Sequence, residues 1–148
     1  MELPIQPIEI NPIEQFFRKF ERNTNLGNLD ALVSQFADVF MAAGPDGASA
    51  VRASDFALAL PKRQKLFDEL GRQSTTLDSI SQTKLDPRYT LVETEWRMVF
   101  VSAERLRNEV LASSAFIVAS EGEEMKIVFY LAHRDIMAIL RDRGILPA

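Results

Sequence analysis

The chain has 148 residues, 47% of them hydrophobic and 26% charged, and 17 basic against 21 acidic side chains give a net charge of −4. That length suits one domain whose core needs no covalent staples, and the acidic balance argues against a nucleic-acid partner, which would require a basic stripe. Cysteine is absent, which removes a disulfide framework, a zinc–thiolate site and a cysteine nucleophile at one stroke.

Residues 1–10 read as an N-terminal extension ahead of a single domain over 11–148. Met1 to Glu9 carries Pro4 and Pro7 and has neither the basic n-region nor the apolar h-region of a signal peptide. No run of ~18 apolar residues exists to cross a bilayer. With cysteine absent, the expectation is a cytoplasmic protein with no membrane partner.

Asn11-Pro12-Ile13-Glu14 is a helix start, with Asn as N-cap and Pro at the first helical position. Ile13, Phe16, Phe17 and Phe20 then form an apolar stripe, which predicts a helix over 11–22. A second helix is predicted over 28–41, with Leu29, Leu32, Val33, Phe36 and Phe40 facing inward. Gly44-Pro45-Asp46-Gly47 follows as a turn. It lacks the preceding strand and the Lys-Ser/Thr of a phosphate loop. A third helix is expected over 54–70, interrupted at Pro61 and closed by Gly71. The basic cluster Lys62, Arg63 and Lys65 reads as its solvated face.

After Gly71 the period changes to two. Thr94, Trp96, Met98 and Phe100 alternate with Glu95, Arg97 and Val99, the mark of an antiparallel strand buried on one face. Four long antiparallel strands are expected between 73 and 133. In the last of them Met125, Ile127, Phe129, Leu131 and His133 take one face, and Lys126, Val128, Tyr130 and Ala132 the other. Asp135 opens a short terminal helix and Gly144 closes it. Helices followed by a strand meander make an α+β fold.

The run Leu32-Val33-Ser34-Gln35-Phe36-Ala37-Asp38-Val39-Phe40 and the turn Gly44-Pro45-Asp46-Gly47 resemble the corresponding segment of the nuclear transport factor 2-like superfamily. The SnoaL-like (polyketide cyclase-like) branch is the nearest. Arg88-Tyr89, Glu95-Trp96-Arg97-Met98 and Lys126-Ile127-Val128-Phe129-Tyr130 sit where that family places its long strands. The resemblance covers about residues 11 to 133. It implies a cystatin-like cone, in which N-terminal helices pack on a curved antiparallel sheet around an apolar pocket. Family members include isomerases, cyclases, dehydratases and non-catalytic dimerising modules. Enzymes of this branch use a carboxylate or a His–Asp pair inside the pocket, and no such pair matches here residue by residue.

On this reading Phe36, Phe40, Trp96, Met98 and Phe129 line the pocket. His133, the only histidine, is the candidate catalytic acid or base, because its ordinary pKa lies near neutrality. Against that stands a plain strand-end histidine bonded to backbone. Trp96 reads as a stacking wall for a planar ligand or as core, and Asp38 as solvent-facing. Tyr130 and Arg97 belong to the opposite face. No multi-histidine or carboxylate cluster offers a metal site, the serines show no nucleophile elbow, and no cofactor is implied. The expected partner is a small apolar or carbonyl-containing molecule, bound for proton-transfer chemistry of the isomerase, cyclase or dehydratase kind. The alternative is a non-catalytic homodimer formed through Val99, Val101, Val128 and Tyr130.

Overall fold

The computed structural model describes residues 11–147; the extension over 1–10 lies outside them. Helix α1 (Pro12–Leu26) starts as expected, with Asn11 Oδ1 accepting from the Ile13 and Glu14 amides. It ends at Gly27 in the left-handed conformation. Helix α2 (Leu29–Val33) is a single short turn. Then come β1 (Phe36–Gly44), β2 (Gly47–Arg52) and α3 (Ala53–Glu69), followed by β3 (Arg72–Lys84), β4 (Tyr89–Val101), β5 (Arg107–Glu121), β6 (Glu124–Ala132) and α4 (Ile136–Asp142). The strands form one curved, unclosed sheet in the order β2-β1-β6-β5-β4-β3.

The four expected strands are present and mutually antiparallel. The expected helix over 28–41 is corrected: it stops after one turn, and Phe36–Gly44 is instead a strand parallel to β6. The reason is local. Phe36 and Phe40 stand at i, i+4, a spacing that a helical stripe and one face of a strand share, so both point inward from an extended chain as they would from a helix. Gly44-Pro45-Asp46-Gly47 consequently turns a β-hairpin, with Gly44 and Gly47 paired. Helix α3 is also corrected, because it runs through Pro61 without a break.

Two buried clusters hold the inner face of the sheet. Phe16, Phe17, Phe36, Phe40, Trp96 and Phe116 belong to the first, and Phe67, Met98, Phe100, Val110, Ile139 and Leu140 form the second. Ala112 packs against both. A buried amide pair locks α1 to the strands: Asn23 Nδ2 donates to Gln35 Oε1 at 3.1 Å, and Gln35 Nε2 donates to the Phe16 carbonyl at 2.9 Å. The Gln35 carbonyl in turn accepts from the Ile127 amide. Buried amides of this kind need every partner satisfied, so the network fixes one arrangement of helix and sheet.

β3 is an edge strand, and an open edge needs protection. Helix α1 supplies it with polar side chains. Asn25 donates to the Thr75 carbonyl at 2.7 Å and accepts from its amide at 2.8 Å. Glu21 accepts from the Leu77 amide and Arg18 donates to its carbonyl. These bonds seat α1 across the mouth of the curved sheet.

Candidate functional site

Between the inner face of the sheet, α3, the α1–α2 corner and the β1–β2 hairpin lies a cavity of about 510 Å³. That volume is within the range of small-molecule sites. It lies between the two buried clusters, with Phe36 and Trp96 lining it from the first and Phe67 and Met98 from the second.

Aromatic rings dominate the wall. Phe20 stands 5.6 Å from Trp96, 5.7 Å from Phe116 and 6.1 Å from Phe36, centroid to centroid. Phe56 from α3 meets Phe36 at 4.8 Å and Phe40 at 5.4 Å. Tyr130 stacks against Phe116 at 5.1 Å. These are the tilted and edge-on spacings that aromatic pairs prefer, so the rings brace one another around the space. The Trp96 indole is anchored as well: Nε1–H donates to Thr94 Oγ1 at 2.8 Å, and that hydroxyl donates to the Ser114 carbonyl at 3.2 Å. Its polar handle is therefore satisfied inside the protein.

Four of the sequence-expected lining residues, Phe36, Phe40, Trp96 and Met98, come together around the cavity. Phe129 and His133 do not line it. A bulge in β6 is responsible. Val118 pairs with Ile127 but Ile117 pairs with Phe129, so Val128 is an extra residue and the alternation slips by one. Ile127 faces inward before the bulge; Tyr130, opposite Phe116, and Ala132 face inward after it. Tyr130 is thus corrected to the cavity face and Phe129 to the outer one. β6 ends at Ala132, and His133 leaves it as an exposed residue beside a shallow depression shared with Asp46, Arg134 and Asp135. His133 is therefore not part of the cavity lining.

Asp38 is exposed on β1, as the solvent-facing reading requires, though on a strand rather than a helix. Arg97 pairs with Asp78 at 3.2 Å, half-exposed on the outer face. Of the outer-face residues expected at an interface, Val99 is buried within the fold and Tyr130 points inward.

The polar part of the lining was not anticipated. Arg63 from α3 and Arg72 from β3 both line the cavity, with guanidinium carbons 5.2 and 5.4 Å from the Phe67 ring centroid. Burial lowers the Arg72 pKa below its usual value, Asp68 opposes that, and the neighbouring Arg63 charge adds to it. The carboxylates on the lining are Asp46 and Asp135. Asp135 caps α4 by accepting from the Met137 amide at 2.9 Å. Both aspartates are exposed. Among the described residues, no group of three or more metal-binding side chains is assembled, and no helix is long and apolar enough to cross a membrane.

Neither a protein-family model nor a curated protein matches the sequence. Solved structures do. A nuclear transport factor 2-like protein with a cystatin-like fold from Novosphingobium aromaticivorans aligns over 93% of this chain and 88% of its own, with a TM-score of 0.69 and 8% identity. A candidate scytalone dehydratase from the same organism covers 82% and 80%, with a TM-score of 0.66 and 11% identity. The β subunit of a benzoate 1,2-dioxygenase from Burkholderia mallei covers 91% and 96%, with a TM-score of 0.66 and 13% identity. The chain therefore has the cystatin-like fold of nuclear transport factor 2-like proteins, and identities this low speak to fold alone.

Proposed function

We propose that this cystatin-like domain binds one small, largely apolar, ring-containing molecule in its cavity, and that binding rather than proton transfer is the cavity's task. The observation that carries the reading is the lining itself. Phe20, Phe36, Phe40, Phe56, Trp96 and Phe116 surround the space, while histidine is absent from the lining and its two carboxylates lie at exposed positions. A proton-transfer enzyme needs an acid or base within hydrogen-bond reach of the bound substrate, with its pKa tuned by burial or by a partner. The same fold occurs in a candidate dehydratase and in an oxygenase subunit, so the fold does not choose between catalysis and binding. The lining favours binding.

The test uses the single tryptophan, which lines the cavity. Benzophenone, a neutral two-ring ketone, is titrated while Trp96 emission and the melting temperature are followed. Saturable quenching with a rise in Tm supports the reading. Trp96 emission that does not respond, with an unchanged Tm, for this and other compact aromatic ketones would sink it.

A second reading, self-association, is favoured by the outer face of the sheet. Met41, Phe129, Ile117 and Leu91 lie opposite one another on four adjacent strands and make one continuous apolar row. Leu111 is 62% exposed and Val39 56% exposed, each on a strand of that row. A row of this kind suits a two-fold contact between copies, in which each side chain meets the same patch of its mate. Of Val99, Val101, Val128 and Tyr130, Val99 is buried within the fold and Tyr130 lines the cavity, so the row is the broader apolar surface.

A further inference from the structure

We infer that the cavity selects a ligand carrying an oxyanion, specifically the ionised form of an aromatic carboxylic acid, with Arg72 and Arg63 as the groups that read its charge. This rests on the ligand-binding reading above and narrows it from any apolar ring to a ring bearing an acid.

The starting point is the junction of α3 and β3. Arg72 pairs with Phe100, Ser74 pairs with Val99 and Thr75 pairs with Met98, so the register shifts between Arg72 and Ser74 and Gln73 is an extra residue. Without that bulge Arg72 and Thr75, three apart, would face opposite sides of the sheet. With it, both share the face of Met98 and Phe100, and both line the cavity. Arg63 reaches the same end from α3. It stands three residues after Leu60 and four before Phe67, on the stripe that α3 turns toward the cavity.

The charge at this end is not balanced. The Arg72 side chain is only 11% exposed, and its one ion-pair partner is Asp68, at 3.4 Å, which is itself 59% exposed. Arg63 has no ion pair among the described residues. Two guanidinium groups thus share the Phe67 ring with one solvated carboxylate between them. A desolvated cation with incomplete pairing is costly to the fold, and an incoming carboxylate would relieve that cost. Guanidinium is also the side-chain group whose planar fork matches a carboxylate in two parallel hydrogen bonds.

Thr75 gives an independent sign. Its backbone is fully engaged by Asn25, yet its buried hydroxyl has no hydrogen-bond partner. Buried polar atoms are almost always satisfied, and an exception calls for an explanation. A ligand oxygen held at this end would provide the missing partner. The rings of the first cluster would then take the apolar body, and the Arg72–Thr75 end its acid. The other lining cation, Arg134, shares the rim with Asp46 and Asp135, so that side of the opening carries one positive and two negative charges.

The experiment compares naphthalene-2-carboxylate with naphthalene-2-carboxamide by isothermal titration calorimetry at pH 7.5 and low salt. The two share one ring system and differ in charge. The intact protein is expected to bind the acid at least tenfold more tightly than the amide. Added salt should narrow that difference, and Arg72→Gln should abolish most of it. Arg63→Gln, at an exposed helix position, should reduce it to a lesser degree, and it keeps the test informative if Arg72→Gln does not fold. Equal affinity for acid and amide in the intact protein overturns the charge-reading inference and leaves the apolar site standing. So does acid preference that survives both substitutions. Binding of neither compound overturns the ligand-site reading and the inference together.

Discussion

Gly71 is where the fold and the candidate site meet, and replacing it by alanine gives a sharp test of the geometry. Its φ is +90°, and a Cβ there would lie 1.9 Å from the Val101 carbonyl oxygen and 2.9 Å from the carbonyl carbon. Both are backbone atoms, so no rotamer change relieves the clash. The Val101 amide also donates to the Gly71 carbonyl at 2.8 Å. Three costs follow. Left-handed backbone with a side chain costs about 1–2 kcal/mol. Loss of the Val101–Gly71 hydrogen bond as the β4 end moves away costs about 1 kcal/mol. Strain and repacking around the displaced strand cost about 1–3 kcal/mol. Gly71→Ala should therefore destabilise by about 3–6 kcal/mol, less a few tenths regained from the stiffer unfolded chain. Gly122 is the control, because its φ is +64° and a Cβ there meets nothing within 4 Å. Gly122→Ala should lose only about 1–2 kcal/mol. Urea melts followed by Trp96 emission measure both variants. A Gly71→Ala variant within 1 kcal/mol of Gly122→Ala would refute the α3–β3–β4 junction described here, and with it the placement of Arg72.

Trp96→Ala removes a side chain that is 6% exposed and packed against Phe20. A loss of about 3 kcal/mol is expected, at the low end for a buried aromatic because part of its surface borders the cavity; a loss under about 1 kcal/mol in a urea melt would contradict its burial. Arg72→Met replaces a poorly paired, largely desolvated cation with an apolar chain of similar length. Its Tm should match or exceed that of the parent, as for a residue kept for binding rather than for stability; a fall of more than about 5 °C would mark Arg72 as structural. Phe129→Glu places a charge in the middle of the outer apolar row. Sedimentation at tens of micromolar should find the parent chain dimeric and the variant monomeric, and a monomeric parent would end the self-association reading.

β4 was readable because nothing interrupts its period. Thr94, Trp96 and Met98 are buried, and Glu95 is exposed between them. Helix α1 was readable from Asn11-Pro12 and its phenylalanine stripe, because cap chemistry and apolar phase agreed. In β6 a bulge misled, since one unpaired residue inverts the faces beyond it. The extra Val128 exchanged Phe129 for Tyr130 and put His133 outside. Phe36 and Phe40 imitated a helix because a separation of four suits one helical stripe and one strand face alike. The β6 bulge leaves no local sequence mark such as a glycine at the extra position. The arginines were hidden differently. Arg63 sits in a basic run that suits a solvated face, and only its phase with Leu60 and Phe67 ties it to the cavity. Arg72 depends on the bulge at Gln73, which only strand pairing reveals.

The central claim is that the space between the two buried clusters is the binding site, and blocking that space tests it most directly. Ala112 lines the cavity and packs against both clusters, so Ala112→Phe projects a ring into the volume a ligand would occupy. Ala42, on β1 across the cavity, offers a second blocking position through Ala42→Phe. Naphthalene-2-carboxylate is titrated calorimetrically into the parent and into whichever blocked variant keeps the native far-ultraviolet circular dichroism. The account expects one-to-one binding to the parent and at least a tenfold loss in the blocked variant with its Tm preserved. Equal affinity in parent and blocked variant would place the ligand elsewhere and contradict the account.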